Sequence, residues 1–84
     1  MTQVIKNSKG ETLFKGSKYL HSAILERVIE VQRILDQEGN QGKYDEDTLL
    51  KDCIREQIEF EKKYAGFETA SQVKDFEKSF EIFV

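Results

Sequence analysis

His21 and Cys53 are the one histidine and the one cysteine of this 84-residue sequence, and they are its ordinary candidates for a base and a nucleophile. Nucleophilic catalysis needs the base within hydrogen-bond reach of the attacking atom and a third group to orient it. His21 falls in the first turn of a predicted helix with no such pair in view, which makes it a half-packed boundary residue. Cys53 lies in the middle of an apolar helical stripe without a CxxC partner to lower its pKa, and there it serves as a small hydrophobe. One cysteine and one histidine cannot fill the four-ligand shell of a structural zinc, nor can a single cysteine form an internal disulfide. Asp45-Glu46-Asp47 lacks the spacing that gathers oxygens round calcium and reads as the acidic first turn of a helix. Gly39-Asn40-Gln41-Gly42 is too short to cradle a phosphate and runs into carboxylates that would repel one. The sequence therefore predicts no catalytic residue, no metal ligand and no cofactor, and the expectation is a protein that is not an enzyme.

Binding is the chemistry left. From Met1 to Ser22 there are four lysines, Lys6, Lys9, Lys15 and Lys18, against Glu11, whereas the remainder carries nine basic and fifteen acidic residues. A basic two-stranded ribbon fits the major groove of DNA, with lysines on phosphates, so a nucleic-acid-associated regulator is the alternative expectation. That segment holds no arginine for bidentate base reading, and the acidic remainder opposes a polyanion. A small anion held near Lys15, Lys18 and His21 is a third reading.

The elements that carry these residues follow from local pattern. Val4, Ile5, Leu13 and Phe14 flank Asn7-Ser8-Lys9-Gly10, and strand formers on either side of a turn cluster predict a β-hairpin over residues 1–16. Ser17 is suited to cap a helix over 17–38, in which Leu20, Ile24, Val28, Val31 and Leu35 repeat at helical spacing and Leu25, Ile29 and Ile34 widen the face. Gly39, Asn40 and Gly42 close it. A second helix over 46–65, capped from Asp45 or Asp47, carries Leu49, Leu50, Cys53, Ile54, Ile58, Phe60 and Tyr64 and stops at Gly66. Thr69-Ala70-Ser71-Gln72 matches a capping box and predicts a third helix over 69–83 with Val73, Phe76, Phe80 and Phe83 on one face. The fold class is α+β in one domain over 1–84, with a hairpin, two long antiparallel helices and a shorter C-terminal helix.

At this length burial contributes only about 3–5 kcal/mol of net stability, and without a disulfide or metal the remaining supplement is self-association. The two long helices carry stripes wider than each other and a hairpin can cover, so a homo-oligomer is expected. The expected function is a small cytosolic interaction module, an inhibitor, adaptor or regulatory subunit that binds another protein. Phe76, Phe80, Phe83 and Val84 are the candidate partner-binding residues, because Val73, Phe76, Phe80 and Phe83 follow the i, i+3, i+7, i+10 spacing of anchors that amphipathic helices lay into grooves, and Val84 extends that apolar end. No run approaches the roughly 18–20 apolar residues that span a bilayer, and no export signal is evident, which points to the cytoplasm. Ten lysines against three arginines fit an AT-rich coding bias, as in low-GC bacteria, their phages and mobile elements.

Overall fold

Asn7 organises the first turn of the chain through its side chain. Its Oδ1 accepts from the backbone N–H of Lys9 at 3.0 Å and of Glu11 at 2.9 Å, and Gly10, at φ 81°, takes the left-handed conformation that closes the loop. The strands on either side, β1 (Thr2–Lys6) and β2 (Thr12–Ser17), pair antiparallel as the predicted hairpin. The computed structural model describes residues 2–39 and 43–84. Asn40 and Gly42, expected to help close the first long helix, lie outside the described residues.

The register of the hairpin slips between Ile5 and Lys6. Ile5 faces Phe14 and Lys6 faces Thr12, which leaves Leu13 as an extra residue on β2. A bulge breaks the strict alternation of a strand and re-aims its side chains. Two consecutive residues, Leu13 and Phe14, are buried as a result, at 3% and 0% exposure.

Ser17 ends β2 and caps α1 (Lys18–Gln37), its hydroxyl accepting from the Leu20 N–H at 3.2 Å. Gly39 follows the helix at φ 77°. Asp45 caps α2 (Glu46–Tyr64), which has Glu46 and Asp47 in its first turn and Lys62 and Lys63 in its last, as the helix dipole favours. Thr69 and Gln72 form the predicted capping box at the start of α3 (Ala70–Lys78). The two long helices run antiparallel: Tyr19 near the start of α1 meets Glu61 near the end of α2, and Arg27 meets Gln57. One hydrophobic core joins the layers, built from Ile5, Leu13 and Phe14 of the sheet, Leu20 and Ile24 of α1, and Ile54 and Ile58 of α2.

The expected helix over 69–83 is corrected at its end. α3 stops at Lys78, where the Ser79 hydroxyl donates to the Phe76 carbonyl at 2.6 Å. Glu81–Ile82 then forms a third strand, β3, which adds to β2 so that the sheet order is β1-β2-β3. Ile82 faces Phe14, Glu81 faces Lys15, and the Phe83 N–H donates to the Leu13 carbonyl at 2.9 Å. Ile, Phe and Val favour strands, and the open edge of β2 offers backbone partners that a further helical turn would leave unused.

Burial on the long helices is narrower than their sequence stripes. In α1 only Leu20 and Ile24 are buried, with Val28, Val31 and Leu35 half-buried, while Leu25, Ile29 and Ile34 are exposed at 38%, 64% and 42%. In α2 Phe60 and Tyr64 are exposed at 47% and 64%. The sheet packs on Leu20 and Ile24 of α1 and on Ile54 and Ile58 of α2, with its tip reaching Asp47 at the start of α2, and the exposed residues lie outside that core. The molecule measures 43 × 27 × 19 Å, with a radius of gyration of 13.9 Å against about 12 Å for a compact domain of this length.

Candidate functional site

Between α1 and α2 runs an open groove of about 760 Å³. Tyr19, Ala23, Arg27, Val31 and Ile34 of α1 line it, at the three- and four-residue steps that keep them on one face, and Gln57, Phe60 and Glu61 of α2 form the other wall. Glu26 and Glu30 stand on the α1 side.

A chain of polar contacts ties the two walls together. The Tyr19 hydroxyl donates to Glu61 Oε1 at 3.1 Å, and Gln57 Nε2 donates to the same oxygen at 3.0 Å. Gln57 Oε1 in turn accepts from Arg27 Nε at 2.8 Å, and an Arg27 terminal nitrogen lies 3.4 Å from Glu56 Oε2. Gln57 is 8% exposed, and both ends of its amide are satisfied, as burial requires. The Glu61 carboxylate, by accepting from Tyr19 and by its charge, raises the Tyr19 pKa and so holds the hydroxyl as a donor. The Arg27 guanidinium also sits 5.8 Å from the centre of the Phe60 ring. Every group in this chain is engaged in holding the helices, and what the groove presents outward is apolar and aromatic surface edged with carboxylate.

Gln57 and Arg27 were not singled out from the sequence, since nothing in their spacing announces that they meet. Among the residues expected to bind a partner, Phe76 and Phe80 pack against the core and against each other, with ring centres 5.1 Å apart, and Phe67 stacks on Phe76 at 5.4 Å. Phe83 and Val84 are exposed, at 56% and 36%, beside the β3 edge. The structure thus separates the four candidates into two packed inward and two facing out.

All four lysines of the nucleic-acid alternative are exposed, and two of them, Lys9 and Lys15, have acidic company. Lys15 is paired across the sheet with Glu81. The tip that carries Lys9 is docked on α2, with the Ser8 N–H and hydroxyl donating to the two carboxylate oxygens of Asp47 at 3.1 and 2.6 Å. Those two bonds, foremost the hydroxyl's, hold the Asp47 pKa below the usual carboxylate range, with Lys9 and Lys51 adding charge. A recess of about 140 Å³ places Lys15 with Lys78 and Glu81, and neither Lys18 nor His21 lines it. Cys53 is 1% exposed, and burial pushes its thiol pKa up, away from the reactive thiolate. His21 is half-buried on α1. Among the described residues no group of three His, Cys, Asp or Glu is placed to hold a metal ion, and no helix is long and apolar enough to cross a membrane.

Comparison with family models, with curated proteins and with solved structures yields no match to this chain, so its surfaces are read from their own chemistry.

Proposed function

We propose that this protein is a small cytosolic protein-interaction module, an inhibitor, adaptor or regulatory subunit of the sort phages and mobile elements encode, and that it acts as a homo-oligomer. The observation that carries the reading is the uncovered apolar surface of α1 and α2. The chain exposes 5959 Å², against about 5,200 Å² for a folded monomer of its mass, an excess of about 800 Å². That excess is about what one partner contributes to a standard protein–protein interface.

The uncovered residues fall on two sides of α1. Tyr19 and Ile34 line the groove, and Leu25 and Ile29, one helical turn apart, do not. Self-association is assigned to the Leu25–Ile29 side, where α1 can pair with α1 of a second copy across a two-fold axis. Phe83 and Val84 offer a smaller surface at the sheet edge. The nucleic-acid reading is the weaker one, because the hairpin tip is docked and Lys15 faces a carboxylate. Sedimentation equilibrium of the wild type and of Ile29→Lys tests the proposal: a wild-type mass above one 9.8 kDa chain that falls toward the monomer in the variant supports it. A wild-type monomer at high micromolar concentration defeats the oligomer.

A further inference from the structure

The groove has a definite charge and a definite length, and together these specify what fits it. Among the described residues Glu26, Glu30 and Glu61 line it against one cation, Arg27, which is already committed to Gln57 and Glu56. Glu30 holds Arg33 on the adjoining helical face, while Glu26 has no ion pair among the described residues. Between the carboxylates lie Tyr19, Ala23, Val31, Ile34 and Phe60. A second groove laid face to face would oppose carboxylate with carboxylate, so a two-fold pairing through this face is disfavoured. Complementarity requires apolar side chains edged with cations, and the aromatic faces of Tyr19 and Phe60 suit such cations as well. From Tyr19 to Ile34 the α1 wall runs about 22 Å, the length of a helix of about 15 residues.

We propose that the α1–α2 groove receives an amphipathic helix of a partner protein whose apolar face is flanked by lysine or arginine, completing a three-helix layer. This rests on the reading of the chain as an interaction module and names the partner's chemistry. The partner helix places its i, i+3, i+4 and i+7 residues on Ala23, Val31, Ile34 and Phe60 and its cations beside Glu26, Glu30 and Glu61.

The probe is a fluorescent synthetic helix of about 16 residues, with leucines at that spacing and lysines flanking them, compared with a twin bearing glutamates in place of the lysines. Fluorescence anisotropy with the intact protein is expected to show binding of the lysine peptide and binding at least about tenfold weaker for the twin. In the double variant Glu26→Lys and Glu30→Lys, whose fold is checked by circular dichroism, the preference inverts. Ala23→Arg, which fills the groove, weakens the lysine peptide. Equal binding of the two peptides, binding of neither, or a preference unmoved by the charge reversal overturns the proposal. It is also overturned if the groove substitutions dissociate the oligomer, since a second copy would then occupy the groove. Loss of self-association in Ile29→Lys with peptide binding intact leaves the groove assignment standing and bears on oligomerisation alone.

Discussion

Adding one methyl group at Gly16 is expected to destabilise the protein, against the usual sign for such a change. Gly16 does not have the positive φ of Gly10, Gly39 and Gly66, and alanine at a position of ordinary backbone normally stabilises by about 0.4–1 kcal/mol, by reducing the freedom of the unfolded chain. Here the space is taken. A Cβ at Gly16 would lie 2.7 Å from Phe14 Cζ and 3.0 Å from Phe80 Cβ. Phe14 is fully buried and its ring has little room to withdraw, so the cost is that of overpacking a core, about 1–3 kcal/mol. Net of the unfolded-state gain, Gly16→Ala is expected to lose about 1–2 kcal/mol. That lowers the melting temperature by about 5–15 °C and moves the urea midpoint down by about 0.5–1 M. Urea melts of the wild type, Gly16→Ala, Phe14→Leu and the double variant form a cycle. Leucine withdraws the Cζ atom, so the alanine costs less in that background, with a coupling above about 0.5 kcal/mol. An unchanged or raised urea midpoint in Gly16→Ala, or additive effects of the two substitutions, would refute the packing argument.

Three more outcomes follow from the same structure. Because Ser8 lowers the Asp47 pKa in the folded state, that carboxylate's contribution is fully present above the unfolded value of about 3.9 and is lost as pH falls through the folded value; thermal melts of the wild type and Asp47→Asn should differ at neutral pH and converge in acid. The Cys53 thiol, buried and with its pKa raised, should react with a disulfide reagent orders of magnitude more slowly in native protein than in urea, and comparable rates would contradict its burial. Phe76→Ala, which removes a half-buried ring packed on the core and on Phe67 and Phe80, should cost about 2–4 kcal/mol, whereas Phe83→Ala should change stability by under about 0.5 kcal/mol; similar melts for the two would refute the division of these phenylalanines into inward and outward pairs.

What could be read from the residues was local. Ser17, Asp45 and the Thr69–Gln72 box each make hydrogen bonds to partners two or three positions away, so a short window of sequence contains both donor and acceptor. The Asn7–Gly10 turn was legible for the same reason. The third strand was not, because Glu81 and Ile82 pair with residues 14 and 15, and helical spacing of Val73, Phe76, Phe80 and Phe83 favoured continuing α3. The bulge at Leu13 escaped notice because two adjacent apolar residues look the same whether one or both turn inward. Lysine count alone suggested a nucleic-acid ribbon; the cross-strand Glu81 and the Asp47 that holds Ser8 come from distant parts of the chain and change how the hairpin is presented. The groove lies between those extremes, since Val31, Ile34 and Phe60 were visible in overly wide stripes but its walls and its charge depended on which faces the two helices turn toward each other.

The Leu25–Ile29 side of α1 is proposed to pair with a second copy of the chain. Sedimentation equilibrium of the wild-type chain from about 1 to 300 μM, a range in which specific weak-to-moderate association is resolved, tests it most directly. The expected result is a concentration-dependent mass above 9.8 kDa that Ile29→Lys returns to one chain. A constant mass of one chain across the range, with Leu25 and Ile29 left in solvent, would contradict it.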